Sequence, residues 1–269
     1  MEIAPAKGSA RPPAAVPANA PGGQAALPVF YSRPELLAAD KHANRSLAKT
    51  LNFGFAKSSN SVPLNGVEFA LAQRHYPIVF SNEGAPFPLA VLGLRSDENL
   101  FVGMAGDWTE RGYVPAYVRR YPFIFLAAAD EKQFALCIDA ASPLIIEGTD
   151  NPFFKDAQPT ELTKNALNFC AAFQAEYEKT KPFCAALMEH NVLETKAADM
   201  SLANGQKLVF GTFRVVDEAK LATLPDAVLA DWHRKGWLAW IYAHIYSFAN
   251  WASLASRITA PVAGAGEKK

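Results

Sequence analysis

Short apolar runs separated by turn signals fill the middle of the chain. Val67–Ala72, Tyr76–Phe80, Leu89–Leu94 and Asn99–Gly103 read as strands. Pro63-Leu64-Asn65-Gly66 reads as a turn before the first, and Arg95-Ser96-Asp97-Glu98 as the hairpin turn between the last two. Phe123–Ala127 and Phe134–Ile138 form a further expected pair, joined around Asp130-Glu131-Lys132.

The period changes after Pro159. Leu162, Ala166, Phe169, Phe173 and Tyr177 recur at helical spacing behind Thr160, a candidate cap. Pro182 is expected to begin or kink a second helical stretch carrying Phe183, Leu187 and Leu193. A polar loop, an Asn204-Gly205 hairpin turn and a strand over Lys207–Val216 follow. Asp217 caps a short helix with Leu221 and Leu224. Pro225 opens another with Val228, Leu229 and Trp232 on one face, Gly236 closes it, and a final helix runs over Trp237–Arg257. The sum is an α+β chain, with a central, mostly antiparallel sheet followed by a mainly helical C-terminal third.

The ends differ in texture. Residues 1–27 are rich in Ala, Pro and Gly with little to bury, which predicts a disordered tail, and residues 258–269 predict a second, flexible one. Residues 28–257 are expected to form one interwoven domain, because a strand pair returns late in the chain.

Charge removes several function classes. Lys plus Arg and Asp plus Glu both number 26, so there is no basic footprint for nucleic acid and none for an anionic membrane surface. Prolines break the first residues, so no secretory signal is read there. Gly236–Ser256 carries no Asp, Glu, Lys or Arg and has the length of a membrane span. His244, Asn250 and three serines, with Trp, Tyr and Ala supplying most of its apolar weight, favour a buried helix, with an interfacial or membrane-inserted one as the alternative. Cys137, Cys170 and Cys184, an odd set among apolar neighbours, read as buried free thiols in a reducing compartment, so a cytoplasmic location is expected.

No nucleotide loop, dinucleotide fingerprint or nucleophile elbow is present. His42, His75, His190, His233 and His244 show no metal-ligand spacing, and no metal ligands or cofactor are assigned. Gly106–Phe123 is the one stretch with chemical promise. It places Trp108, Tyr113, Tyr117 and Tyr121 beside Arg111, Arg119 and Arg120, and His75 precedes a strand that could lie alongside. Rigid rings with guanidinium groups suit a groove for a peptide or anion. The same pattern suits a loop whose rings cover the sheet while its arginines pair locally. The last helix, with Trp237, Trp240, Tyr242, Tyr246 and Trp251 around it, reads either as buried or as a homo-oligomer contact.

Several of these strings occur together in a known family. His75-Tyr76-Pro77-Ile78-Val79-Phe80, Asn99–Val102 leading to Gly106-Asp107-Trp108, the Tyr113–Phe123 run and the Leu229–Leu254 ending resemble the SapC family over about residues 28–257. The family name comes from gene clusters for bacterial surface-layer proteins. Relatives are encoded near cupin-type hydroxylases, tryptophan-halogenase-like flavoproteins and outer-membrane receptors. The resemblance implies no catalytic residues. It also carries a peptide-permease label, which a chain with one doubtful span contradicts. Two functions are thus expected. One is an accessory or binding protein for a peptide or protein partner, linked to surface-protein export or peptide modification. The other is an enzyme with scattered residues, metal-dependent in one version, for which His75, Asp107, Arg111, His233 and His244 are the residues to test.

Overall fold

The computed structural model describes residues 27–50, 52–109, 112–127, 134–201 and 207–259. It is an α+β fold whose sheets are all antiparallel. A three-stranded sheet runs β1 (Pro34–Leu36), β7 (Phe134–Asp139), β6 (Phe123–Ala127). Two small ribbons flank it. One pairs β2 (Arg45–Leu47) with β8 (Ile145–Glu147), the other β9 (Phe154–Lys155) with β10 (Gln158–Pro159). The main sheet has five strands in the order β11 (Leu193–Ser201), β12 (Lys207–Val216), β4 (Ile78–Phe80), β5 (Pro88–Val91), β3 (Ser61–Pro63).

Every residue of β3, β4 and β5 is buried. These strands are covered on both faces, which is why their sequences are unbroken apolar runs without alternation. Helices supply the cover. Short α1 (Ala39–His42), α2 (Phe69–Ala72) and α3 (Ala116–Arg119) precede α4 (Glu161–Glu189), which buries Phe173, Phe183, Cys184 and Leu187. Next come α5 (Glu218–Ala222), α6 (Asp226–Arg234), α7 (Trp237–Tyr246) and α8 (Asn250–Thr259). One core joins the main sheet to α4, α6, α7 and α8, and smaller clusters lie under the three-stranded sheet.

Much of the sequence reading holds. β6 and β7 pair as expected, from Phe123–Ile138 to Ala127–Phe134. The Asp217 carboxylate accepts the amides of Ala219 and Lys220, and Gly236 takes the left-handed conformation, φ +75°, between α6 and α7.

Other elements differ. Val67–Ala72 is not a strand. It is a 3-10 turn, Gly66–Glu68, running into α2. The Glu68 carboxylate reaches back to the Asn65 amide at 3.0 Å, half of a capping box, and Phe69 and Ala72 turn inward three residues apart. Asn99–Gly103 forms no strand either. Both edges of β5 are taken by β3 and β4, so the segment closes a tight loop instead, with one bridge between Val102 and Trp108. Helix α4 passes through Pro182 as one 29-residue element. Pro182 is exposed, so water can serve the carbonyl it leaves unbonded, while Phe183 and Leu187 gain full burial. Leu193 opens β11, where a helix end and polar loop were expected. Thr160 holds the N-cap position of α4 as expected, but its side chain makes no cap bond, because the hydroxyl donates to the Pro152 carbonyl at 2.7 Å.

The last helix breaks at the 3-10 turn Ser247–Ala249. There the Ser247 hydroxyl donates to the His244 carbonyl at 2.5 Å and accepts the Ile78 amide at 2.8 Å. Helix α8 runs through Thr259, two residues past the expected boundary. The head to Ala26, the turns expected at Asp130–Lys132 and Asn204-Gly205, and the end from Ala260 lie outside the described residues. Among the described residues no helix is long and apolar enough to cross a membrane.

Candidate functional site

The stretch from Gly106 to Phe123 is used mostly for packing. The indole N–H of Trp108 donates to the Tyr76 hydroxyl at 3.2 Å, and that hydroxyl donates to the Tyr113 carbonyl. Trp108 also stacks on Phe101 at 6.2 Å and meets Phe53 edge-on at 5.5 Å. Tyr113 donates to Glu68 at 2.9 Å, and the Ala116 amide donates to the same oxygen at 2.7 Å. Burial pushes the Glu68 carboxyl above its usual range, and these donors, with the Asn65 amide, oppose that shift. Tyr117 is buried and donates to the Val29 carbonyl. Tyr121 is buried, stacks on Phe55 at 4.1 Å and donates to Asp139 at 3.1 Å.

The arginines diverge. Arg119 is exposed and donates to the Val114 carbonyl and the Tyr113 hydroxyl. Arg120 turns inward over the rings of Tyr117, at 4.2 Å, and Phe173, at 4.4 Å. Arg111 lies outside the described residues. His75 is half-buried beside Tyr76, its pKa lowered by desolvation and by Arg74 and Arg257. Tyr76 thus brings His75, Trp108 and Tyr113 together, while Tyr117, Arg120 and Tyr121 face Tyr31 and its neighbours. The seven described candidates therefore fall into a group around Tyr76, a group around Tyr31 and the exposed Arg119.

The other residues proposed for catalysis have separate surroundings. His244 is fully buried. Its Nδ1–H donates to the Ile78 carbonyl at 2.8 Å, and its Nε2 accepts the Val216 amide at 3.1 Å. Desolvation pushes its pKa down to about 4, so the ring is a neutral cross-link between strands. Asp107 is exposed against Gly103, and His233 is exposed on α6. Among the described residues no three His, Cys, Asp or Glu side chains gather as a metal site requires. The three cysteines are buried and unpaired, and burial pushes the Cys170 and Cys184 thiols up to about 11 and about 12.

A cleft of about 570 Å³ opens elsewhere, between one face of the β11–β12 hairpin and the break before α8. Register builds it. Lys196 pairs with Phe213 and Glu194 with Val215, so all four side chains share one face. Phe213 stacks on Trp251 at 5.7 Å, and Phe248 and Val215 complete an apolar floor. Glu194, Lys196, Asp217 and Glu218 form a charged rim, in which Lys196 already pairs with Glu194 at 2.9 Å. β11 is a sheet edge, and among the described residues no strand pairs with its outer side. Sequence reasoning missed this site because β11 is polar and reads as a loop. The available signal was the alternation Phe213, Val215 in the strand it pairs with.

Among the described residues, fold and cleft together define an α+β protein with an apolar groove beside the edge strand β11 of its main sheet. The SapC family model matches residues 37–254, most of the chain, and the chain belongs to the SapC family. No curated protein and no solved structure matches it.

Proposed function

We propose that this protein is a binding module for an extended segment of a peptide or protein partner, with the β11–α8 cleft as its site. The observation that carries the reading is the stacked pair Phe213 and Trp251 at the floor of a 570 Å³ cleft, directly beside a sheet edge with which no described strand pairs. An edge strand offers backbone hydrogen bonds to an added strand, and an apolar pocket beside it selects side chains. The rim holds three acids and one lysine, so the segment that fits best carries an apolar or aromatic residue for the floor and basic residues next to it. The partner is one handled inside the cell before export or modification. The family's gene surroundings and three unpaired buried thiols support that setting.

Selection from a displayed random peptide library tests the reading. Enrichment of apolar-plus-basic peptides is expected, with hydrogen-exchange protection of the β11 amides when they bind. Peptides that bind a folded Trp251→Ala variant as well as the parent, or no enrichment at all, would sink it.

A further inference from the structure

We propose that strand β11 also pairs with β11 of a second copy of this chain, antiparallel about a two-fold axis at Thr195. Register fixes which backbone groups are free to do so. The Asp217 amide donates to the Val192 carbonyl at 2.8 Å, one step before the pair Leu193 and Val216. Bonded and non-bonded pairs alternate along an antiparallel ladder. Val192, Glu194 and Lys196 therefore bond to β12, while Leu193, Thr195 and Ala197 turn their N–H and C=O groups outward. The facing strand agrees, because the Val216 amide points away from β11, to His244 Nε2 at 3.1 Å. Among the described residues no strand takes up the outward groups of β11.

Charge selects a second copy as the occupant. Glu194 and Lys196 flank Thr195 on the cleft face and pair with each other at 2.9 Å. Their side chains are 34% and 54% exposed, so both can reach across the edge. With the axis at Thr195, Glu194 meets Lys196 of the second copy, and Lys196 meets Glu194 of the second copy. These are non-bonded positions, where facing side chains come closest. Thr195 exchanges backbone bonds with its own counterpart, and Leu193 with Ala197. A two-residue slip moves the axis to Glu194 or to Lys196 and sets like charges opposite each other. A one-residue slip sets outward groups against groups already used by β12.

The ladder to β12 is irregular between Ala197 and Asp199, which confines the new pairing to Leu193–Ala197. So short an edge makes a small isologous interface, and a weak dimer with Kd on the order of 10 µM is expected. The outward amides are the ones an extended peptide would use. On the reading of the β11–α8 cleft given above, dimer and peptide-bound forms therefore exclude each other.

Sedimentation velocity of the full chain from about 1 µM to about 200 µM reads the association. A monomer–dimer equilibrium is expected. Lys196→Glu sets acid against acid and should raise Kd about tenfold or more. Glu194→Lys combined with Lys196→Glu reverses both charges, keeps opposite signs facing across the axis, and should return Kd to within about threefold of the parent. Thr195→Pro removes an outward N–H that β12 does not use and should abolish the dimer. If that variant does not fold, the two charge variants decide, with urea unfolding as the check that they are folded. A chain that stays monomeric at about 200 µM would overturn the proposal, as would a Lys196→Glu variant that dimerises like the parent or a folded double variant no better than the single one. A selected peptide should shift the parent to monomer. One that protects the β11 amides from exchange while the dimer persists would place the contact elsewhere and overturn the proposal. If no peptide binds, only the cleft reading falls, and sedimentation still decides the dimer.

Discussion

Gly66 lies flat against the indole of Trp240. A Cβ placed on Gly66 would fall 2.4 Å from the Trp240 ring, closer than any real contact. The Gly66 amide also donates to the Thr180 hydroxyl at 3.0 Å, so one residue fastens the start of α2 to both α4 and α7. Gly66→Ala must push α7 away and is expected to cost about 3 kcal/mol. Urea unfolding measures it. A change under about 1 kcal/mol would mean that α7 can slide without loss.

His244 makes stability depend on pH. Its folded pKa, about 4, lies below the ordinary 6.5 because burial disfavours the charged ring. The unfolded chain therefore binds a proton that the native ring refuses between these two values. The stabilisation is complete above pH 6.5 and is lost as pH falls toward 4, by ~3 kcal/mol in all. Glu68, whose pKa is raised by burial, acts in the opposite sense, so the useful quantity is the parent minus a His244→Gln variant. That variant should be weaker at pH 7 and lose less on acidification. Parallel pH profiles for the two proteins would rule out His244 as the source.

Glu68 ties its own turn to the 113–116 stretch through donors from Asn65, Tyr113 and Ala116. Glu68→Ala leaves two amides and a hydroxyl unsatisfied in the interior and should cost roughly 3 kcal/mol or more. Tyr113→Phe removes one donor and leaves Glu68 two, so about 1 kcal/mol is expected. Thermal or urea unfolding of both variants checks the order. A Tyr113→Phe cost equal to that of Glu68→Ala would show that the hydroxyl, not the carboxylate, is the hub.

In the proposed cleft, Trp251 should dominate binding. Trp251→Ala is expected to weaken a selected peptide by about 30-fold or more, near 2 kcal/mol. Lys196→Glu leaves the floor intact and makes the rim more acidic, so it should speed association of basic peptides, and added salt should erase the gain. Titration and stopped-flow fluorescence separate the two effects. A Trp251→Ala loss of less than about threefold would place the binding energy elsewhere.

The family-bearing strings and the main elements were legible in the chain. Phe123–Ala127 with Phe134–Ile138, the helical period after Pro159, the Asp217 cap and the Gly236 stop act through neighbours close in sequence, so local pattern was enough. Long-range pairing decided the rest. An apolar run such as Val67–Ala72 serves strand and helix equally, and the partner of β5 was settled by competition among β3, β4 and Asn99–Gly103 for two edges. The aromatic and arginine run at 106–123 announced its chemistry but not its direction. Tyr117, Arg120 and Tyr121 point inward because Tyr31, Phe55 and Phe173, each far off in sequence, arrive beside them. The cleft over Phe213 and Trp251 was beyond local reading for the same reason: these two rings, 38 residues apart, meet only when strand register and a helix break bring them together.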